Sequence, residues 1–227
     1  MKRNLDTWDL TNLTKRYAGN SIDTMNRLIV DTDSSVYIGA SSYSTGSAGK
    51  QDSLIIKLSS SYTQQWGSFY GGSDNEGTAD IDVSTNGLYV VGYTMTAAMS
   101  NGGSDIFILK LSKTDGSKSY AKLFGSTSDD YAIGIQILSN YIYVVGYSNS
   151  AGWTNGGTDF ILFKLDESTG TKQWAARYGG PNNDIASDLI VSGSLIYVIG
   201  YGDLGISGDD FVMMTASATD GSLSLFK

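Results

Sequence analysis

The sequence contains neither cysteine nor histidine. Without cysteine there is no disulfide and no thiol nucleophile, and the redox compartment cannot be inferred. Without histidine there is no imidazole base, and a zinc site of the usual His/Cys type is excluded. Catalysis, if there were any, would have to use carboxylates, Lys, Tyr or Ser.

Basic residues are few, since 15 Lys and Arg stand against 23 Asp and Glu, for a net charge of -8. This charge repels phosphate backbones and anionic membrane surfaces, so we expect no nucleic-acid partner. No run approaches the roughly 20 apolar residues of a membrane-spanning helix, so we expect a soluble chain without membrane insertion. Asp6 and Asp9 lie where a signal peptide would be apolar, and no export signal is predicted. A secreted natural protein would have lost its leader, or the chain would be an excerpt of a longer array.

What the chain does contain is a pattern that occurs four times. An aromatic-Gly-Gly segment and an acid are followed by Tyr-Val-Val-Gly or a close variant, then by Asp and an apolar run. The closing glycines are Gly39, Gly92, Gly146 and Gly200, at spacings of 53, 54 and 54. A period of this size indicates a stacked repeat architecture, because one unit cannot bury its own apolar face.

Each repeat predicts four short β-strands and no helix. In the second repeat, alternation over 77–83 and the Asn86-Gly87 turn predict a hairpin, and two further strands follow at 106–111 and 119–124. A four-stranded antiparallel sheet repeated radially is a propeller blade. We therefore predict one all-β domain, a β-propeller over residues 1–227, with repeats at approximately 19–71, 72–125, 126–179 and 180–227.

Residues 12–18 have the pattern of a fourth strand without a blade before it, and the last strand, 222–227, stops short. We predict that this N-terminal strand completes the last blade and closes a four-blade ring, which would be a monomer. The alternative is an open segment of a longer array. Such a segment would expose two sheet faces and would oligomerise or aggregate.

Several positions carry the same type of residue in most repeats. Each set of equivalent positions, which we call a column, predicts a structural role. Aromatic or apolar residues of the fourth strands predict core between blades, and an Asp opens each third strand, with a Lys five residues later except at Thr215. These columns are Tyr17, Tyr70, Phe124 and Tyr178; Leu13, Trp66, Tyr120 and Trp174; Asp52, Asp105, Asp159 and Asp210; and Lys57, Lys110 and Lys164.

These motifs, notably Tyr178-Gly179-Gly180, Asp184, the segment 197–201 and the run 155–165, resemble the β-propeller repeat family often called the seven-bladed propeller repeat. The resemblance covers nearly the whole chain. It implies a propeller fold and suggests an extracellular or cell-surface location, since members are mostly large bacterial and archaeal surface or secreted proteins. It implies no catalytic residues.

The loops after the second and fourth strands lie on one face of a propeller, which we call the loop face. It collects Asp23, Asp52, Asp74, Glu76, Asp105, Asp129, Asp130, Asp159, Asp184, Asp203, Asp209 and Asp210 against Lys50 alone. We expect the repeated columns, with Asp23, Asp130 and Asp184, to accept backbone N–H bonds in turns. Asp74, Asp129, Asp203 and Asp209 remain for solvent, a basic partner or a cation such as calcium, although no loop has the EF-hand pattern.

The loops after the second strands vary most between repeats. Their larger apolar side chains are Tyr43, Met95, Met99, Trp153 and Ile206. Variable loops on a regular frame predict a part-apolar contact surface for a protein or carbohydrate, and the alternative is drift in unconstrained loops.

One column on the innermost strands carries charges, at Arg27, Asp80 and Asp188, with Gly134 in the third repeat. In a closed ring Arg27 would stand between the two carboxylates near the axis. We predict an ion-pair staple, with a channel site for a solute or ion as the alternative.

Three functions are compatible with these observations. We expect a non-catalytic interaction module that uses the acidic loop face, without a cofactor. A structural scaffold or spacer in a larger surface assembly is the alternative. A carboxylate-based carbohydrate-active enzyme using Asp80 and Asp188 is a lesser one.

Overall fold

The computed structural model describes residues 22–43, 50–152, 154, 156–202 and 210–226. Within these ranges the chain forms sixteen β-strands and no helix. No described helix is therefore available to span a membrane.

The strands follow one another in four groups of four. Blade 1 contains β1 (Asp23–Val30), β2 (Val36–Ser42), β3 (Asp52–Leu58) and β4 (Gln64–Tyr70). Blade 2 contains β5 (Glu76–Ser84), β6 (Gly87–Thr94), β7 (Asp105–Leu111) and β8 (Lys118–Phe124). Blade 3 contains β9 (Asp130–Leu138), β10 (Tyr141–Ser148), β11 (Asp159–Asp166) and β12 (Lys172–Tyr178). Blade 4 contains β13 (Asp184–Ser192), β14 (Leu195–Gly202), β15 (Asp210–Ser217) and β16 (Leu223–Phe226).

Every blade is a four-stranded antiparallel sheet in which each strand pairs with the next along the chain. This is the arrangement expected of apolar runs separated by short turns. The prediction of an all-β, propeller-like chain built from four such sheets is confirmed. The predicted N-terminal strand over 12–18 lies outside the described residues.

The hydrophobic core lies between successive blades. Tyr37 and Ile55 of blade 1 pack with Ile81 and Val90 of blade 2. Equivalent clusters join blade 2 to blade 3 and blade 3 to blade 4. A fourth buried cluster, around Ile38 and Ile56, consists of blade 1 residues. Blades 2 and 3 thus bury one face against the preceding sheet and the other against the following sheet, which is why a single repeat cannot fold alone.

The first strand of the later blade makes the closest contact at each junction. β5 lies against β1, β2 and β3; β9 lies against β5, β6 and β7; and β13 lies against β9, β10 and β11. Within the described residues, blade 1 and blade 4 share no strand contact of this extent. Closure of the ring within one chain therefore stays a prediction.

The repeated lysines reach across the junctions. Lys57 Nζ donates to the carbonyl oxygen of Lys113 at 2.8 Å, and Lys164 Nζ donates to that of Ala218 at 2.8 Å. Lys110 Nζ is 3.5 Å from the carbonyl oxygen of Glu167. These bonds satisfy turn carbonyls of the following blade, a role that the recurrence of Lys had indicated.

The aromatic residues of the fourth strands also contact the following blade. The Tyr70 hydroxyl donates to the Gly116 carbonyl, and the Tyr178 hydroxyl donates to the Gly221 carbonyl. Trp66 Nε1 donates to the Lys113 carbonyl at 3.3 Å. Tyr17 and Leu13, the first members of these columns, lie outside the described residues.

The glycine column has a steric cause, and the alignment of Gly39 with it was wrong. A Cβ added at Gly92 would lie 1.9 Å from the Gly77 carbonyl oxygen, and Gly146 and Gly200 meet equivalent carbonyls at 2.0 and 2.2 Å. In blade 1 the residue at this register is Ala40, which pairs with Met25, whereas Gly39 pairs with Arg27. The shift arises because five residues separate the paired Val30 and Val36, whereas four residues separate the equivalent pair Val83 and Leu88.

Candidate functional site

Buried carboxylates at the start of the first strand of a blade hold the loops of the loop face in place. Glu76 is buried, and its Oε1 accepts hydrogen bonds from the hydroxyls of Thr94 and Thr96, each at 2.7 Å. Its Oε2 accepts the Gly72 N–H at 2.6 Å. One carboxylate therefore holds both the connection between blades 1 and 2 and the loop after β6, so these loops are ordered before any partner binds.

Equivalent acids act similarly at the next junctions. Asp130 Oδ2 accepts the Ser126 N–H at 2.8 Å and the Ser150 hydroxyl at 2.9 Å, and Asp184 Oδ2 accepts the Gly180 N–H at 2.8 Å. The spacing of Asp130 and Asp184 from Glu76 would have placed Glu76 in this column, but the sequence interpretation counted it only as a charge of the face.

The other repeated acids have varied environments. Asp105 Oδ2 accepts the Asn101 N–H at 2.5 Å, and burial raises the pKa of Asp105. Asp23 accepts the Ser42 hydroxyl. Asp52 and Asp159 are buried, whereas Asp210 is exposed. Most of the negative charge of these columns is thus inside the loop face rather than on it.

Two acids that the sequence left available to a ligand have protein partners. Asp74 Oδ1 lies 2.7 Å from Lys50 Nζ in an exposed ion pair. Asp129 Oδ1 accepts the Ser104 N–H at 2.8 Å. Asp203 and Asp209 lie outside the described residues. In the described part of the chain, no group of three or more carboxylates is arranged to hold a metal ion, and calcium stays a prediction.

The predicted contact residues occupy different parts of the loop face. Tyr43 and Met95 are exposed, each with 43% of its surface accessible, and Met99 is half-buried. Trp153 and Ile206 lie outside the described residues. The backbone of the loop after β6, which carries Met95 and Met99, is held by hydrogen bonds from Met95 N to Asn75 O at 2.9 Å and from Met99 N to Thr96 O at 2.7 Å.

Met99 borders a cleft of about 250 Å³ at the junction of blades 1 and 2. Its apolar walls include Phe69 and Tyr70 from β4 and Phe107 and Leu123 from blade 2. A cleft of about 230 Å³ occupies the corresponding place on blade 3, and Gly152 takes part in its lining. A depression therefore lies beside the loop after β6 and another beside the loop after β10.

A row of tyrosines crosses the loop face at the ends of the inner strands. The ring centroids of Tyr93 and Tyr131 are 5.3 Å apart, and those of Tyr131 and Tyr147 are 5.4 Å apart. We call these three residues the tyrosine row. All three are half-buried, and Gly77 leaves room for the first ring, since a Cβ there would lie 2.3 Å from Tyr93 Cε1.

The tyrosine row is held in place by polar contacts. The Tyr93 hydroxyl donates to Gln51 Oε1 at 2.9 Å, and the Ser104 hydroxyl donates to the Tyr131 hydroxyl at 2.9 Å. Burial raises the pKa of Tyr93 and of Tyr147, so both remain neutral at physiological pH. Sequence reasoning missed the row, although the Tyr that follows the repeated glycine, at positions 93, 147 and 201, was a signal for two of its three members.

The charged column near the axis forms one close pair. Arg27 Nε lies 3.0 Å from Asp80 Oδ1, with the arginine side chain 53% exposed and the aspartate 9%. Asp80 Oδ2 accepts the Ile135 N–H of the next blade at 3.1 Å. Burial raises the pKa of Asp80 to about 6, against the opposing effects of the Ile135 N–H and of Arg27.

Asp188 has a different environment on blade 4. It is exposed, and its Oδ1 accepts the N–H of Leu189 at 2.8 Å. Among the described residues the ion pairs are those of Arg27, Lys50 and Lys113, and Asp188 belongs to none of them. Half of the predicted arrangement is therefore formed, between blades 1 and 2.

Comparisons with known proteins inform the fold and not the chemistry. No protein-family model matches the sequence, and no curated protein matches it. The fold is similar to that of the plexin A4 extracellular region, with a TM-score of 0.57 and 11% identity over 89% of this chain and 27% of that one. This chain therefore spans little more than a quarter of that structure. An α-L-arabinofuranosidase from Clostridium thermocellum has a TM-score of 0.48 and 13% identity over 90% of this chain and 70% of that one.

Proposed function

We propose that the protein is a non-catalytic interaction module that binds a protein partner through the loop face. The observation that supports this best is the tyrosine row, a set of three contiguous rings at the ends of the inner strands on the loop face. Tyrosine provides a large, rigid and amphipathic contact surface at a low entropic cost, and it is enriched at binding interfaces.

Order in the surrounding loops strengthens the proposal. Glu76 and Asp130 tie the loops on both sides of Tyr93 and Tyr131 to the sheets. A surface ordered before binding loses less conformational entropy on association than a flexible one does. The net charge of -8 favours a partner segment that presents Lys or Arg beside an apolar side chain. The cleft next to Met99 has the size and apolar lining to accept that side chain.

Selection from a phage-displayed random peptide library on the immobilised chain tests this proposal. We expect enriched peptides that combine basic and aromatic or aliphatic residues, and Tyr131→Ala should reduce their binding roughly tenfold or more. Tyr62→Ala is the matched control, because Tyr62 is exposed in the turn between β3 and β4 on the opposite face. Equal loss in both variants, or enrichment of acidic peptides, would contradict the proposal.

A carbohydrate ligand would use the same surface, since sugars also stack on aromatic rings. A glycan array probed with the chain and with Tyr131→Ala separates the two partner classes. Glycan binding that depends on Tyr131, without peptide enrichment, would replace the protein partner by a carbohydrate.

We place no catalysis at Asp80 and Asp188. Asp80 Oδ1 accepts the Ile81 N–H at 2.8 Å beside Arg27, and Oδ2 accepts the Ile135 N–H. A carboxylate engaged at both oxygens is poorly placed to transfer a proton or to attack a sugar. The extracellular or cell-surface location suggested by the resemblance to the propeller repeat family stays part of the proposal.

Closure of the blades into a ring, within one chain or together with a second copy of it, also belongs to the proposal. A propeller leaves only short, protected strand edges when its last blade packs against its first. The rigid frame that the loop face requires would be most stable in that closed form.

A further inference from the structure

The outward face of blade 4 is apolar and exposed at positions that are buried in the other blades. Tyr197 is 38% exposed, whereas the equivalent residues Tyr37, Tyr89 and Tyr143 are at most 4% exposed. Phe211 is 72% exposed, whereas Phe160, its counterpart on blade 3, is fully buried. Three further large side chains enlarge this patch, namely Ile190, Ile199 and Tyr201. The face has the composition of a blade junction, but no blade follows it among the described residues.

The inner strand of blade 1 shows the complementary situation. Leu28 on β1 is 52% exposed, whereas its equivalents Ile81, Ile135 and Leu189 are at most 6% exposed. Met25 and Val30, on the same strand, are also exposed. At each of the three junctions the first strand of the later blade has the most extensive contact with the preceding blade. Among the described residues, β1 therefore lacks the contact with a preceding blade that the other first strands make, while Ile38 on β2 and Ile56 on β3 of the same sheet are buried.

Backbone hydrogen bonding indicates what that preceding blade should carry. The Ile81 N–H is accepted by the neighbouring Asp80, and the Leu189 N–H by the neighbouring Asp188. Gly134 has no side chain to accept the Ile135 N–H, and Asp80 of the preceding blade accepts it instead. In blade 1 the corresponding neighbour is Arg27, which has donors only.

In an assembled ring the preceding blade could supply an acceptor for the Leu28 N–H, as Asp80 does for the Ile135 N–H. Blade 4 offers Asp188, which stands at the register of Asp80, is exposed, and is opposite in charge to the half-exposed Arg27. The apolar patch of blade 4 and the charge of Asp188 are therefore both complementary to the same strand, β1.

We infer that a second copy of this chain covers the outward face of blade 4 with its own β1, so that two chains joined head to tail form one ring. The arrangement repeats at β1 the first-strand contact that occurs at the three junctions within each chain. Two copies create two identical junctions and leave no outward face uncovered. The resulting eight blades lie within the range of about 4 to 8 blades that propellers contain.

Cysteine cross-linking tests this assembly, because the chain has no cysteine of its own. At the first junction a Cβ at Gly39 would lie 2.9 Å from Ile81 Cγ2, and the residues at these registers across the new junction are Ile199 and Leu28. A mixture of Leu28→Cys and Ile199→Cys chains, treated with a short bismaleimide, should yield a covalent dimer of twice 24.2 kDa. Leu28→Cys mixed with Leu123→Cys should not, because Leu123 is an exposed residue of an outer strand.

Mass measurement of the unmodified chain gives a second, independent result. We expect a dimer that Ile199→Asp converts to a monomer, while Leu123→Asp leaves the dimer intact. Both residues are exposed in one chain, so neither change should unfold it.

Three outcomes would overturn the inference. The first is a mass of one chain at all protein concentrations. The second is a Leu28→Cys/Ile199→Cys double variant that links only within a chain, which would mean a four-blade ring. The third is a ladder of species larger than a dimer, which would mean that the head-to-tail contact does not close.

Discussion

Replacement of Asp80 by Asn should stabilise the protein near pH 7.5, although the substitution removes an ion pair. Asp80 is 93% buried, and its burial raises its pKa from 3.8 to about 6. The folded state therefore holds the ionised carboxylate less favourably than the unfolded chain does. Arg27 offsets only part of this, because its side chain is 53% exposed and the pair is screened by solvent.

The size of the effect follows from the shift. One pKa unit corresponds to about 1.36 kcal/mol, so a rise of roughly two units means a penalty of about 3 kcal/mol for the ionised form. Because the folded pKa is the higher one, stability falls as pH rises from about 4 to about 6, and the full penalty applies above that window. Asn keeps an acceptor for one neighbouring N–H but loses the attraction to Arg27. We expect a net gain of about 1 to 3 kcal/mol at pH 7.5.

Urea unfolding followed by tryptophan fluorescence, at pH 4 and pH 7.5, measures this gain. The stability difference between Asp80→Asn and the parent chain should be large at pH 7.5 and should shrink by most of its value at pH 4, with unchanged m-values. Arg27→Gln serves as the control, because it should destabilise the parent chain at pH 7.5 and have little effect in the Asp80→Asn background. An equal effect of Asp80→Asn at both pH values would refute the reasoning.

Two other predictions use matched pairs of substitutions, both measured by denaturant unfolding. Gly92→Ala should lower the free energy of unfolding by about 3 kcal/mol or more, because the new Cβ would lie 1.9 Å from a backbone carbonyl oxygen. Gly39→Ala should lower it by about 1 kcal/mol, because there the new Cβ would lie 2.9 Å from a side-chain methyl group. Lys113→Met should lower the free energy of unfolding by about 2 kcal/mol, because it removes the ammonium group that lies 2.7 Å from a buried carboxylate oxygen of Asp31. Lys50→Met should change stability very little, because the ion pair of Lys50 with Asp74 is exposed. Equal effects within either pair would contradict the steric or the burial argument.

The sequence was sufficient to predict most of the architecture. Four recurrences of an alternating strand pattern determine four antiparallel sheets, because side-chain period, turn residues and apolar content all favour strands. The recurrence of Lys57, Lys110 and Lys164 indicated a structural role, and the junction bonds supply its cause. The alignment of Gly39 with Gly92 was wrong because a one-residue difference in a turn is invisible when only the glycine is matched.

The candidate site was less accessible to sequence reasoning. The charges of the loop face could be counted from the sequence. Which of these acids accept hydrogen bonds from backbone N–H groups could not be predicted. Asp129 was expected to be available to a ligand and instead accepts the Ser104 N–H. The tyrosine row depends on rings from two strands of one blade and one strand of another, so no local pattern specifies it.

The sequence by itself determined the number of repeats, their strand content and the acidic balance, because these follow from local spacing and composition. Only the tertiary structure decided which Asp pairs with Arg27, which tyrosines meet and which sheet face of blade 4 is uncovered. Those features depend on contacts between residues of different strands and blades, and such contacts are set by how the strands pair and how whole sheets pack against one another.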